Sequence, residues 1–217
     1  MTAARSILTV DGVDGSGKST FARWLLGALA AEGVPGVVIS IDDFRRPVDW
    51  ARVASEADAY YDAYYDLAAC ERCLAAFAAG APGVAIPAFD PVTERPAPPR
   101  ALAFGDAAVA IVEGVFPLRV APARAGLAIY LDASPAEARR RIVERDLRKR
   151  RTREEIEHRI ERRYAPGQAR YHAELDPRGR AAVVIDNERP AAPRALRRDL
   201  AGAPPPLAAA LDRVLPR

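Results

Sequence analysis

The chain has 217 residues, of which 50% are hydrophobic and 28% are charged, and its formal net charge is +3. This length and balance are typical of one globular domain with an added lid, and no apolar run reaches the roughly 18 residues of a membrane helix. No signal-peptide pattern precedes the first predicted strand, so we expect a cytoplasmic protein that binds no membrane.

Short β-branched runs alternate along the chain with longer helical stretches, the pattern of βαβ units in a parallel sheet. Strands are predicted over residues 7–10, 37–40, 109–112, 127–131 and 182–185. Helices are predicted over 19–31, 66–79, 135–148, 153–163 and part of 165–175. The expected architecture is α/β, a five-stranded, mainly parallel sheet flanked by helices.

Two further stretches are rich in proline. Residues 84–100 are predicted to form a hairpin or loop over the sheet edge. Residues 191–217 are rich in proline, alanine and arginine, and are predicted to form a loose tail or an excursion with a short helix near 207–215. We therefore expect a single domain over residues 1–190, followed by this tail.

Basic residues are concentrated between residues 139 and 163, which contain twelve Lys or Arg and six Asp or Glu. Such an excess suits nucleic acid, an acidic membrane or the phosphates of a small ligand. Binding of single-stranded nucleic acid favours aromatic residues among the basic ones, and this segment has none. We therefore expect no nucleic-acid partner.

The sequence from Gly12 to Ser19, GVDGSGKS, matches GxxxxGK[ST] between a predicted strand and a predicted helix. Glycines let backbone N–H groups converge on phosphate oxygens, and the positive end of the helix faces the same anion. Lys18 is predicted to neutralise the β- and γ-phosphates of ATP, and Ser19 to bind Mg²⁺. The predicted nucleotide-binding residues are Gly12, Asp14, Gly15, Ser16, Gly17, Lys18, Ser19 and Thr20.

Carboxylates follow two other predicted strands. Glu113 comes directly after the strand at 109–112, and Asp42 and Asp43 follow the strand at 37–40. Because ligands of parallel sheets collect at the carboxyl ends of the strands, we expect these side chains near the phosphates. Glu113 is predicted to act on Mg²⁺, directly or through its water. Asp42 is predicted to be the base for an acceptor hydroxyl, with Asp43 structural or auxiliary.

Six segments occur in an order that resembles the uridine kinase and phosphoribulokinase group of P-loop kinases, from about Leu8 to Asn187. They are DGVDGSGKST, SIDDF, YYDAYYDL, AFDPVTER, IVEGVF and IYLDASPAEARRRIVERDLRKR. The resemblance implies a P-loop NTPase fold of the nucleoside-kinase type, with a basic helical lid at about 145–165. It also leaves a homo-oligomer open.

The resemblance implies a role for residues on each side of the phosphates. The implied catalytic residues are Asp42, Lys18, Arg145 and Arg150. The implied acceptor-binding residues are Asp42, Phe44, Tyr65, Phe89 and Asp90, and the implied metal-binding residues are Ser19 and Glu113.

The chain departs from uridine kinases around the acceptor. Phe89 stands where they usually have tyrosine, Arg45 replaces an aromatic residue, and Thr93, Glu94 and Arg95 occupy the region of a usual histidine. We predict an ATP-dependent phosphotransferase with an alcohol group as acceptor, best matched to a uridine or cytidine kinase. The alternative is a sugar- or vitamin-like acceptor. An alternative of another class is a P-loop ATPase or switch that acts through a partner.

Overall fold

The computed structural model describes residues 5–90 and 93–217. The strands are β1 (Ser6–Asp11), β2 (Gly36–Ser40), β3 (Gly83–Asp90), β4 (Arg95–Ala103), β5 (Val109–Glu113), β6 (Leu127–Asp132), β7 (Val183–Asp186) and β8 (Arg194–Arg198). The α-helices are α1 (Lys18–Ala31), α2 (Glu56–Asp58), α3 (Leu67–Ala78), α4 (Ala121–Ala125), α5 (Pro135–Leu147), α6 (Arg153–Arg159), α7 (Ala165–Leu175), α8 (Pro177–Arg180) and α9 (Pro205–Val214). Short 3-10 turns cover Ile41–Phe44 and Pro117–Arg119, and π-helical turns cover Ala59–Ala63 and Ile160–Tyr164.

Six strands form the central sheet in the spatial order β2-β5-β1-β6-β7-β8. All neighbours are parallel except β7 and β8, and β1 lies at the centre, with Leu8 opposite Ile111 on one side and Leu127 on the other. The α/β fold class is therefore confirmed. Because the strands are parallel, Asp11, Ser40 and Glu113 end at the same edge of the sheet.

The core lies on both faces of this sheet. On one face, Leu8 and Val10 of β1 pack with Leu25 of α1 and with α9. On the other face, aromatic side chains predominate, among them Phe44 and Phe77, which are fully buried. Strand β1 contributes side chains to both layers, as expected for a parallel strand that is covered on both faces.

Residues 191–217 contribute to the sheet and to the core, so the prediction of a loose tail is wrong, whereas the alternative, an excursion with a short helix near 207–215, agrees with α9 at Pro205–Val214. Strand β8 pairs antiparallel with β7 and adds a sixth strand to the five predicted. Helix α9 buries Leu207 and Leu211 against the β1 face. The sequence of β8, RALRR, lacks the apolar pattern that predicts a strand, because an edge strand buries little of its surface.

The proline-rich stretch at 84–100 forms a hairpin, in which β3 pairs antiparallel with β4. Residues 91 and 92 of this stretch, and residues 1–4, lie outside the described residues. Among the residues that are described, no helix is both long enough and apolar enough to cross a membrane.

Candidate active site

The loop between β1 and α1 has the shape of a phosphate cradle. Gly12, Gly15 and Gly17 all have positive φ, at 146°, 81° and 99°. A Cβ on Gly15 would lie 2.4 Å from the carbonyl oxygen of Ala138 in α5, so only glycine fits this close approach. No side chain among the described residues caps the start of α1, which leaves its first N–H groups free for an anion.

Two side chains of α1 reach toward the same point. Lys18 is 7% exposed, and its Nζ donates to the carbonyl oxygens of Gly12 and Val13 at 2.9 and 2.8 Å. The Ser19 hydroxyl donates to Oε2 of Glu113 at 2.8 Å. The lysine ammonium and the serine hydroxyl thus both lie at the mouth of the loop, on the carboxyl edge of the sheet.

Glu113 is held from two sides at the end of β5. Its second carboxylate oxygen accepts a hydrogen bond from the Ser40 hydroxyl at the end of β2. Burial raises the pKa of Glu113, and the neighbouring Asp42 carboxylate raises it further, against the two serine hydrogen bonds and Lys18. A buried carboxylate that binds two hydroxyls is fixed in orientation, which suits a metal or metal-water contact.

A cleft of about 440 Å³ opens in front of the loop. Asp42 lines it from the turn after β2, and its carboxylate pairs with the guanidinium of Arg45. Asp43 is not among the lining residues and pairs instead with Arg100 of β4 at 2.5 Å. Of the two neighbouring carboxylates, Asp42 alone therefore faces the cleft.

The basic segment covers the cleft from the other side. Arg145 binds both carboxylate oxygens of Asp14 in the loop, at 2.9 and 3.2 Å. Burial raises the pKa of Asp14, but the Arg145 guanidinium, together with the charges of Lys18 and Arg45, holds that pKa well below its usual range. Arg145 also contacts the fully buried Asp146, which pairs with Arg151 at 2.9 Å. These arginines are thus already ordered beside the loop.

Glu94, near the tip of the β3–β4 hairpin, connects the hairpin to the basic segment. Its carboxylate accepts hydrogen bonds from Arg151 at 2.7 Å and from Arg159 at 2.8 and 3.2 Å. Both arginines and Glu94 line the cleft. Hydrogen bonds therefore join the hairpin to the basic segment at the edge of the cleft.

Tyrosines form part of the wall of the cleft. Tyr64 and Tyr65 pack edge to face at 4.9 Å, and both line the cleft together with Tyr60. Phe89 packs against Tyr64 at 6.4 Å, one layer behind the lining residues. The adjacent Asp90 accepts a hydrogen bond from the Thr93 N–H at 3.3 Å within the hairpin. Phe89 and Asp90, which were predicted to bind the acceptor, thus lie next to the cleft, with Tyr64 between Phe89 and the cleft.

Most of the predicted site residues meet in this one cleft. Those that line it are Asp14, Gly15, Gly17, Lys18, Ser19, Thr20, Asp42, Tyr65, Glu113 and Arg145. Gly12 and Ser16 lie in the same loop, behind its lining residues.

Two other predicted residues lie away from the cleft. Phe44 was expected to touch the acceptor, but its side chain is fully buried in the aromatic core, because the turn after β2 directs it inward. Arg150 was expected to act on phosphate, but it is exposed, at a positive φ of 63° in the turn after α5. Its neighbour Arg151 is drawn inward by Asp146 and Glu94.

Other cleft residues were not predicted. Arg141 of α5 donates to the carbonyl oxygens of Ser16 and Asn187 at 3.3 and 2.9 Å, and so ties the loop to the end of β7. Arg141 precedes Arg145 by four residues, so the helical repeat places both on one face, a signal available in the sequence. Asn187 donates to Ser16 at 2.7 Å, but no pattern in the sequence marks it.

Comparison with known proteins agrees with this geometry. Among solved structures, a possible uridine kinase from Bacillus stearothermophilus is 25% identical, covers 86% of this chain and 91% of its own, and has a TM-score of 0.66. A proposed fructose transport system kinase from Silicibacter sp. TM1040 is 25% identical over 78% of this chain and 85% of its own, with a TM-score of 0.60. No curated protein matches the sequence significantly. A sequence model of the Phosphoribulokinase / Uridine kinase family matches residues 7–185, which include the loop, the acidic strand ends and the lid, so the chain belongs to that family of P-loop kinases.

Proposed function

We propose that this kinase transfers the γ-phosphate of ATP to a hydroxyl group of a small molecule bound in the cleft. The observation that carries the proposal is the position of Asp42, a carboxylate that lines the same cleft as the lysine of the phosphate loop. A P-loop ATPase or switch needs no such base on the acceptor side. Substrate deprotonation by a positioned carboxylate is the usual arrangement where a hydroxyl attacks phosphorus.

The proposed step uses residues that are already arranged around the cleft. The acceptor oxygen attacks the γ-phosphorus, the bond from that phosphorus to the β–γ bridging oxygen breaks, and ADP leaves. The proton of the hydroxyl passes to the Asp42 carboxylate. Lys18 and Arg145 stabilise the negative charge on the transferred phosphoryl group. The lid excludes water, which limits hydrolysis of ATP.

Ser19 and Glu113 are the residues proposed to hold Mg²⁺. A hydroxyl and a carboxylate 2.8 Å apart at the start of α1 match the few oxygen ligands that Mg²⁺ takes from a protein when phosphates and waters complete its shell. The bound ion supplies positive charge at the β- and γ-phosphates. Glu113 orients the Ser19 hydroxyl, and Ser40 fixes Glu113 in turn.

The identity of the acceptor remains a prediction. Uridine or cytidine is the acceptor suggested by the family resemblance, and a sugar- or vitamin-like compound is the alternative. The cleft wall carries Arg45 beside Asp42, and this guanidinium favours the second class only for a compound that has an anionic group. A neutral nucleoside or a neutral sugar has no group that pairs with a guanidinium as a carboxylate does.

The proposal is tested by ADP release with ATP and Mg²⁺ across a panel of nucleosides, sugars and vitamins. Asp42→Asn is expected to lower acceptor-dependent turnover by about 10²- to 10⁴-fold, the usual contribution of a general base. Asp43→Asn is the matched control, because this neighbouring carboxylate pairs with Arg100 away from the cleft, and it is expected to keep wild-type turnover. Turnover that needs no acceptor and survives Asp42→Asn would overturn the kinase proposal in favour of an ATPase.

A further inference from the structure

A second pocket, of about 300 Å³, lies beside the phosphate loop between α5 and α7. Its walls include the apolar side chains of Val13, Pro135, Ile142 and Ile160. Ala169 of α7 also lines it and is exposed, so the pocket opens to solvent. Several residues of α1 line the active-site cleft, but none lines this pocket. The pocket is therefore a separate space on another side of the loop.

Gln168 of α7 brings an unused hydrogen-bond donor to this pocket. It lines the pocket and is 8% exposed, and its Oε1 accepts a hydrogen bond from the N–H of Asp14 at 3.0 Å. Because that N–H needs an acceptor, the contact fixes which amide atom faces the loop. The remaining atom, Nε2, is buried and has no hydrogen-bond partner within the described part of the chain. A buried donor without an acceptor is costly, and a ligand in the pocket can supply the acceptor.

The charged groups around the pocket already have partners. Arg139 pairs with Glu161 at 3.4 Å, and Asp14 pairs with Arg145 at 2.9 Å. Burial lowers the pKa of His172, so its ring is uncharged at neutral pH. The pocket thus offers apolar surface and one neutral donor, which suits a neutral ligand better than an ion.

The walls of the pocket contact the phosphate loop at two points. One is the hydrogen bond between Gln168 and Asp14. The other is the packing of α5 on Gly15, where an added Cβ would lie 2.4 Å from the carbonyl oxygen of Ala138 and 3.1 Å from Cγ1 of Ile142. Both Ala138 and Ile142 line the pocket. A ligand that fills the pocket therefore holds the loop in its cradle shape, and the binding of that ligand and of ATP is linked.

We propose that this pocket is an effector site for a neutral, largely apolar compound of one or two rings, whose carbonyl oxygen accepts a hydrogen bond from Nε2 of Gln168 and whose binding tightens the binding of ATP. A volume of about 300 Å³ is at the lower end of the range for ligand pockets, which sets this size. The effector takes no part in phosphate transfer, so the inference does not depend on the identity of the acceptor.

The test uses three rigid probes: 1-indanone, indane, which lacks the carbonyl oxygen, and indane-1-carboxylate, which is charged. Binding is followed by NMR of the ¹⁵N-labelled protein through the side-chain amide of Gln168, assigned by its absence in Gln168→Met. 1-Indanone is expected to shift this signal and to bind about 2- to 10-fold more tightly than indane, the range of one neutral hydrogen bond. The carboxylate is expected to bind more weakly than 1-indanone.

Two variants locate the site, and calorimetry measures the coupling. Ala169→Leu fills the mouth of the pocket and is expected to weaken binding of 1-indanone at least fivefold. Ala173→Leu is the matched control, because this exposed alanine of α7 does not line the pocket. Gln168→Met is expected to keep binding of indane while the preference for 1-indanone disappears, which a misfolded variant would not do. A non-hydrolysable ATP analogue is expected to bind about fivefold more tightly at saturating 1-indanone.

Four results would overturn the effector site. They are no binding of 1-indanone up to its solubility limit, equal binding of 1-indanone and indane, equal binding by Ala169→Leu and the wild type, and affinity for the ATP analogue that 1-indanone leaves unchanged or lowers. Lowered affinity with mutual displacement would place the probe in the active-site cleft instead. None of these results bears on phosphate transfer, which ADP release with the acceptor panel tests separately.

Discussion

Replacing Asp11 with asparagine is expected to change the pH dependence of stability. Asp11 ends β1 directly before the phosphate loop and is 2% exposed. Its carboxylate accepts a hydrogen bond from the N–H of Gly12 and another from the hydroxyl of Tyr171, both at 2.6 Å. Burial raises the pKa of Asp11 from 3.8 to about 6, against these two hydrogen bonds and the charge of Lys18.

The sign of the effect follows from which state holds the proton. Between about pH 4 and about pH 6, the folded protein keeps a proton on Asp11 that the unfolded chain has lost. The contribution of Asp11 to the free energy of unfolding therefore falls as the pH rises through this window. The two pKa values differ by about two pH units, which corresponds to about 3 kcal/mol. Asparagine cannot ionise, so the variant escapes this loss.

The assay is urea unfolding of wild type and Asp11→Asn at several pH values from 4 to 7. The free energy of unfolding of the variant, minus that of the wild type, is expected to increase by about 3 kcal/mol across this range. Asp106→Asn removes an exposed carboxylate between β4 and β5 and controls for the loss of one negative charge. A difference for Asp11→Asn that stays constant with pH would refute the reasoning, whatever its absolute size.

Three further substitutions test the phosphate loop, the metal site and the lid. Gly15→Ala is expected to weaken ATP binding at least tenfold, measured by calorimetry, because the added Cβ would lie 2.4 Å from the carbonyl oxygen of Ala138. Gly27→Ala is the control: its added Cβ would have no atom within 4 Å, so this variant is expected to bind ATP as the wild type does. Glu113→Gln is expected to raise the Mg²⁺ concentration for half-maximal turnover by about 10- to 100-fold, and an unchanged Mg²⁺ titration would contradict its metal role. Asp146→Ala removes a buried carboxylate from the lid cations, but Arg145 and Arg151 keep Asp14 and Glu94 as partners. Urea unfolding is therefore expected to show a loss of about 1 to 3 kcal/mol, and an unchanged free energy of unfolding would contradict this.

The sequence predicted those strands whose apolar residues are buried in the sheet. The apolar runs of β1 and β5 are buried on both faces, so the sequence marks them clearly. Strand β8 lies at the sheet edge with arginines at both ends, and its pairing with β7 is decided by tertiary contact. Propensity and pattern alone cannot detect a strand of that kind.

The sequence predicted those residues of the candidate site whose positions follow from the ends of parallel strands. Sheet topology brings the ends of β2 and β5 together, so Asp42 and Glu113 follow from strand position alone. The lid depends instead on side-chain pairing: Arg151 faces the cleft and Arg150 does not, because Asp146 and Glu94 bind only the first. A run of basic residues does not reveal which of its members find buried partners.

In the proposed reaction, the γ-phosphate moves to a carbon-bound hydroxyl and not to water. Phosphorus NMR of a reaction with ATP, Mg²⁺ and the acceptor selected by the panel measures this directly. We expect one phosphate monoester for each ADP formed, and a strong loss of that product in Asp42→Asn. Inorganic phosphate as the main product, formed at the same rate without acceptor, would contradict it.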